Sequence, residues 1–291
     1  MRSPLIAASG TVGSVWEWAE VAEVAPYGAA VAKSVSPQPW EGRPAPRLAP
    51  TSTGMLNGVG IQNPGIDSWI DKMAPLIPGL RVPIWGSAVA GDAEGFAVVA
   101  KGLVTAGVEA VEVNLSCPNL ESGEMFSLNE RASREVIEAV SGAVEVPVGA
   151  KLSPNTPDIV DVAGACADAG AGFVVLTNTA FGFGVALHDR KPLLSGGVGG
   201  YSGPGLKPIS LRCVYEVATA HPGLPIVGCG GVITGADVAE YLIAGASAVE
   251  LGTIHLAEPK AGKRILMELE KLLVKLGAAS VDELVGTVGE W

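Results

Sequence analysis

The chain is poor in rings. Aromatic residues make up 5% of its 291 positions, whereas hydrophobic residues of all kinds reach 48%. Such a composition packs a core of small and branched aliphatic side chains. Positive charge is also scarce, with 19 Lys and Arg against 30 Asp and Glu and a formal net charge of −11. That balance argues against nucleic acid or an anionic membrane surface as the main partner. No apolar run reaches the roughly 18 residues of a membrane span. Met1-Arg2-Ser3-Pro4 lacks the charged start and apolar stretch of a signal peptide. A soluble, cytoplasmic protein is expected. The four cysteines, at 117, 166, 213 and 229, form no C-x-x-C pair, and the histidines at 188, 221 and 255 lie far apart. No metal site, disulfide framework or iron–sulfur cluster held by this chain is therefore expected. The dinucleotide fingerprint G-x-G-x-x-G is missing after the first strand, since Gly10 and Gly13 alone do not make it.

Glycine (39) and proline (21) are plentiful, as expected where short elements alternate through tight loops. Eight strand-like runs stand at residues 4–9, 29–35, 82–88, 110–116, 147–153, 173–179, 225–230 and 248–252. Amphipathic helical segments lie between or after them at 92–106, 129–140, 156–169, 206–220, 235–244 and 259–276. Near-continuous apolar strands, each followed by a helix or long loop, predict an α/β fold: a single (β/α)8 TIM barrel domain over residues 1–291. Long loops follow strand two (36–64) and strand six (180–204), at the end where such a barrel places its active site. Five prolines between Pro37 and Pro50 predict a stiff, extended first loop. The Gly-rich stretch 195–205 is expected to be mobile.

The strand ends form a coherent set. Strand one ends at Ser9, strand two at Lys33 and Ser34, strand four at Asn114 and Cys117, and strand five at Lys151. Strand six ends Thr177-Asn178-Thr179, strand seven Gly228-Cys229-Gly230-Gly231, and strand eight Gly252-Thr253. Two lysines at one end of a barrel suit an anionic or electron-accepting ligand. Glycines after strands seven and eight leave bare backbone N–H groups where barrels often bind phosphate. The run Val-Asn-Leu-Ser-Cys-Pro-Asn at 113–119 is the most suggestive, because it ends a strand in a thiol flanked by amides. A lone Cys is more often a small buried hydrophobe.

In order and with fitting gaps, A-S-G-T, A-K-S-V-S, M-L-N-G-V-G-I-Q-N-P-G, V-N-L-S-C-P-N, K-L-S-P-N, T-N-T, Y-S-G-P-G-L-K-P, G-C-G-G-V and A-S-A-V-E-L-G-T resemble class 1 dihydroorotate dehydrogenases. The likeness covers almost the whole chain. The cysteine in V-N-L-S-C-P-N is the class 1 feature, and residues 55–65 and the Lys-Pro-Leu-Leu stretch look most like the NAD-linked 1B branch. The resemblance implies oxidation of (S)-dihydroorotate to orotate in pyrimidine (UMP) synthesis, with one FMN per chain across the barrel mouth. Ser9, Lys33, Ser34, Asn114, Lys151 and Thr177 would contact the isoalloxazine and ribityl parts. Gly203, Gly230, Gly231, Gly252 and Thr253 would hold the ribityl and phosphate end. Lys33, Asn57, the backbone of Gly58, Val59, Gly60 and Ile61, and Asn114, Asn178 and Thr179 would hold the substrate. Cys117 would be the catalytic base. The resemblance further implies a homodimer, and a heterotetramer with a subunit carrying FAD and a [2Fe–2S] cluster.

Two departures from the family pattern stand out. The chain begins almost directly at strand one, so either its start is misassigned or the barrel floor is built differently. Ser87 stands where many relatives carry an Asn near the flavin. Four rival readings remain. A fumarate-linked class 1A enzyme differs in its electron acceptor. A related FMN enzyme acting on dihydropyrimidines would place its acid cysteine elsewhere, and residues 120–129 hold no second Cys. A non-redox phosphate-binding barrel would not need the amides of Asn57, Asn114 and Asn178. A non-catalytic interaction subunit would not need Cys117, Lys33 and Lys151.

Overall fold

The computed structural model describes residues 1–116 and 125–289. Eight parallel strands close into a barrel: β1 (Leu5–Ala7), β2 (Ala29–Val31), β3 (Ile84–Ala88), β4 (Ala110–Asn114), β5 (Val148–Leu152), β6 (Phe173–Leu176), β7 (Ile226–Cys229) and β8 (Ala248–Leu251). Each pairs with its neighbour in sequence, and β8 returns to β1 with Leu5 opposite Val249. The strands are shorter than the apolar runs, because the last residues of each run leave the ladder to enter the mouth.

Alternation along the strands sorts the aliphatic residues into two layers. Ile6, Ala8, Ala29, Val31, Phe173, Val175, Val227, Cys229 and Ala248 fill the barrel interior. The opposite parity, including Leu5, Ala30, Val111, Val113, Ala150, Val174 and Val249, packs outward against the helices. Those helices are Ala93–Thr105, Glu130–Ser141, Ile159–Asp168, Lys207–Ala220, Gly235–Ile243 and Ala261–Leu276, one for each predicted segment. Their starts have local causes. The Asp92 carboxylate accepts from the Gly95 amide at 2.8 Å, Asn129 accepts from Ala132 at 2.9 Å, and Thr234 with Asp237 forms a capping box. Gly277, at φ 71°, ends the last. Among the described residues no helix is long and apolar enough to cross a membrane. At the amino ends of the strands the rings of Trp85 and Phe173, 5.0 Å apart, close the interior above a recess of about 590 Å³.

The first insertion is extended, as its prolines predict, and the second departs from expectation. The first supplies a hairpin of Leu48–Thr51 and Gly54–Asn57, and the second supplies Ala180–Gly182 and Gly199–Ser202. Together they form one four-stranded antiparallel sheet beside the mouth, with Gly200 opposite Asn57. The stretch expected to be mobile thus contributes a central strand. Glycine is needed there for close approach: a Cβ on Gly199 would strike the Asn57 carbonyl, and one on Gly200 the Thr179 hydroxyl. Arg43 Nη1 donates to the Val198 carbonyl at 2.8 Å, and the Ser195 amide to Pro46 at 2.9 Å, tying the two insertions further.

Asn63 closes the first insertion on itself, tying its end to its start. Its Oδ1 accepts from the Ser36 amide at 3.1 Å and the Gly65 amide at 2.9 Å, and its Nδ2 donates to the Ile61 carbonyl at 2.8 Å. Buried groups left without partners are costly. Asn63→Ala should therefore lower stability by roughly 1–3 kcal/mol, measured by urea unfolding. An unchanged midpoint would show that this tie is dispensable.

Candidate active site

A cavity of about 600 Å³ opens at the carboxyl ends of the strands, with the insertion sheet as one wall. This is the end of a (β/α)8 barrel from which ligand-binding loops project. Of the residues selected from sequence, Ser9, Lys33, Ser34, Asn57, Val59, Gly60, Ile61, Asn114, Lys151, Thr177, Asn178, Thr179, Gly203, Gly230, Gly231, Gly252 and Thr253 all line it. Gly58 does not. Its amide turns to donate to the Arg47 carbonyl at 2.7 Å, and the guanidinium of Arg43 stands beside it. Cys117 falls outside the described residues.

The amides are already organised. Asn178 Nδ2 donates to Asn114 Oδ1 at 3.2 Å, and Asn178 Oδ1 accepts from the Thr179 amide at 2.8 Å. Asn114 Nδ2 donates to Ser34 Oγ at 3.3 Å, and Ser34 shares a hydrogen bond of 2.9 Å with the buried Ser87. Ser87 thus braces Ser34 from behind rather than lining the cavity. Asn57 Nδ2 reaches across the insertion sheet to the Gly200 carbonyl at 3.2 Å. Asn155, which the sequence reading passed over, donates to the Thr179 carbonyl at 3.1 Å and accepts from the Phe181 amide at 2.8 Å. It fixes the turn that carries Asn178 and Thr179.

At the opposite corner, backbone comes close to backbone. A Cβ on Gly231 (φ +70°) would stand 2.7 Å from the Lys207 nitrogen, and one on Gly203 (φ +104°) 2.6 Å from Gly54 Cα. Gly252 is different: its Cβ would meet only Ala8, at 3.6 Å, so the space before it is open. A compact anionic group suits such a corner, where glycine leaves backbone N–H groups uncovered.

Beside Lys151, the cavity floor holds two carboxylates that a survey of strand ends misses. Glu112 and Lys151 line it, and Glu250 lies buried beneath. Lys151 Nζ stands 2.7 Å from Glu250 and 3.3 Å from Glu112. Burial works against its ammonium, but the two carboxylates more than offset this and raise its pKa, so it remains a cation. A carboxylate in the middle of an apolar strand, in A-V-E-V-N and A-V-E-L, is the signal that could have revealed the set. Among the described residues no group of His, Cys, Asp and Glu side chains is placed to hold a metal ion.

The fold and cavity define an α/β barrel whose mouth sets an array of amides opposite a glycine-lined corner. Residues 1–273 match the family described as dihydroorotate dehydrogenase. The chain is 41% identical over 290 residues, 99% of its length and 95% of the relative's, to the protein of Geobacter sulfurreducens named dihydroorotate dehydrogenase B (NAD(+)), catalytic subunit. A protein of the same name from Maridesulfovibrio salexigens is 41% identical over 291 residues, with the same coverage of each chain. Among solved structures, a DHODH from Eimeria tenella crystallised with ferulenol superposes with a TM-score of 0.84 at 19% identity, covering 98% of this chain and 85% of that one. The chain belongs to the dihydroorotate dehydrogenase family.

His255 stabilises the rim. Tyr27 Oη lies 2.8 Å from its Nε2 and Thr11 Oγ1 3.2 Å from its Nδ1. The Thr11 hydroxyl donates to the Ala8 carbonyl, so it accepts from Nδ1–H, while Nε2 accepts from Tyr27. Only the neutral ring fits this arrangement, and burial lowers its pKa from 6.5 to about 4. The neutral form is the one stabilised, so its contribution is complete above pH 6.5 and disappears as pH falls towards 4. That loss should reach roughly 3 kcal/mol. His255→Gln should flatten the pH dependence of unfolding over this window; an unchanged slope would assign it to other groups.

Proposed function

We propose that this protein oxidises (S)-dihydroorotate to orotate, in the de novo route to UMP, with one FMN held in the barrel mouth. One observation supports this reading above the rest: a single cavity gathers both lysines, the three amides and the glycine corner. FMN fits those residues. The corner formed by Gly203, Gly230, Gly231, Gly252 and Thr253 suits its phosphate, and Ser9, Lys33, Ser34, Asn114, Lys151 and Thr177 suit its ring and ribityl chain. When bound, it supplies the two-electron acceptor.

The chain's own residues supply recognition and proton transfer. Dihydroorotate is a cyclic ureide bearing a carboxylate, and Asn57, Asn114 and Asn178 offer both donors and acceptors for its N–H and C=O groups. Lys33 neutralises its charge, and the backbone of Val59, Gly60 and Ile61 closes over it. Lys151 would supply positive charge to the ring when it is bound. Cys117 takes the proton from C5. An ordinary thiol titrates near pH 8.5, so turnover should rise with pH up to about that value.

The likeness to the NAD-linked branch supports a homodimer that recruits a subunit carrying FAD and a [2Fe–2S] cluster. The rival is a self-sufficient enzyme that reduces fumarate. Fast fumarate reduction by the isolated chain, with no gain from an electron-transfer subunit, would favour that rival.

The central test is to purify the chain, record its visible spectrum and assay dihydroorotate oxidation with a dye acceptor. The expected protein is yellow and active. A colourless protein that cannot be reconstituted with FMN would sink the proposal. Cys117→Ala should retain flavin and bind orotate but lose turnover by several orders of magnitude. Flavin reduction at the wild-type rate in a single turnover would remove Cys117 from the mechanism.

The structure also selects the glycine to alter. Any residue at Gly231 collides with the Lys207 backbone, whereas a side chain at Gly252 enters open space. Gly252→Val should release flavin while matching the unfolding midpoint of the flavin-free wild type. Full flavin content in this variant would move the phosphate elsewhere.

A further inference from the structure

Below the cavity floor, two acids and one base are sealed inside the barrel. Glu112 is 0% exposed, Glu250 1% and Lys151 5%. Glu112 and Lys151 come from the neighbouring strands β4 and β5 and Glu250 from β8 across the barrel, and all three point inward. Nζ of Lys151 touches Oε2 of Glu250 at 2.7 Å and both Glu112 oxygens at 3.3 and 3.4 Å. Oε1 of Glu250 is buried and meets no donor. The other strands bring no further ionised partner to the cluster among the described residues. β7 supplies Cys229, with Tyr241 close behind it. β3 and β6 supply Ser87 and Val175, with Thr177 just beyond β6. Lys33, just beyond β2, lines the cavity wall above.

Two carboxylates and one ammonium would leave a net negative charge in an interior of Ala, Val and Ile. A buried unpaired charge is neutralised by a proton wherever one can bind. We propose that Glu112 and Glu250 hold one proton between them, so that the Lys151 cluster is electrically neutral and Glu250 acts as a positioning residue for its ammonium. Glu250, with the short contact, is the ionised partner, and Glu112 carries the proton. The shifts agree. Burial and then the charge of Glu250 push the Glu112 carboxyl well above the usual range. For Glu250, burial is outweighed by Lys151 and the pKa falls. The two carboxyls stand within hydrogen-bonding reach of each other, so a proton on Glu112 also gives the Glu250 carboxylate a donor besides Lys151. Burial raises the pKa of Cys229 and keeps it a neutral thiol despite Lys151 nearby.

The consequence reaches the ligand. A neutral floor lets Lys151 act on an electron-rich ring without excess negative charge beneath it. That role rests on the proposed FMN site, but the proton count does not.

Infrared spectroscopy of the purified protein at neutral pH, in H2O and in D2O, counts the protons with or without flavin bound. The wild type should show one buried carboxylic acid band that shifts in D2O. Glu112→Gln and Glu250→Gln should each lose it, because the remaining carboxylate then pairs one-to-one with Lys151. Lys151→Met should roughly double it, because both acids must then be neutral. Absence of the band from the wild type, its survival in either Gln variant, or no increase in Lys151→Met would overturn the proposal. The wild-type spectrum alone decides if a variant fails to fold. A colourless protein with the expected band series would sink the FMN reading and leave this inference standing.

Discussion

A closed barrel allows each strand to send only every second side chain inward. This one constraint organises the site. Glu112 and Asn114 are two residues apart on β4, so the buried acid and the amide above it share one inward column. Glu250 and Gly252 share another from β8, and Cys229 and Gly231 a third from β7. Charge below and ligand wall above are thus set by the same register, with Asn114 paired to Lys151 and Cys229 to Glu250. A slip of one residue in any of these strands would turn its column outward into the helix layer.

The insertion sheet depends on that frame. Its wall is held in two ways: Asn63 joins the end of the first insertion to its start at Ser36, and pairing of Gly199–Ser202 with Gly54–Asn57 ties it to the loop after β6. Under the proposed function, amides fixed before the ureide arrives would lose less affinity to ordering than amides ordered on binding. Asn155 and Ser87 serve the same end from behind, one bracing Thr179 and the other Ser34.

The strands were legible because each apolar run is buried on both faces and has no competing helical period. The helices were legible for the complementary reason, with caps such as Asp92 and Asn129 marking their starts. The insertion sheet was not. Gly54–Asn57 and Gly199–Ser202 carry no strong strand propensity, and their pairing is fixed by contacts between segments more than 140 residues apart. In sequence the glycines suggested mobility; in the fold they allow backbones to touch. Most of the cavity wall followed from reading strand ends. The floor did not, because Glu112 and Glu250 lie two residues inside those ends, where a carboxylate is unexpected.

The described side chains also bear on which group can take a proton from the substrate under the proposed function. Burial pushes Cys166 up to about 12 and raises Cys213 and Cys229 as well, so none of these thiols ionises near neutral pH. His255 has both ring nitrogens engaged, and His221 bonds the Val160 carbonyl behind the barrel. His188 is fully exposed beside Asp189. Lys151 is held cationic in its acidic cluster, with Glu250 2.7 Å away, and cannot act as a base. Lys33 is the other ionisable amine on the wall, and the substrate carboxylate would favour its charged form. Every described thiol and imidazole is therefore inert, engaged or remote. That none of these groups is placed to take the proton supports the proposed role of Cys117.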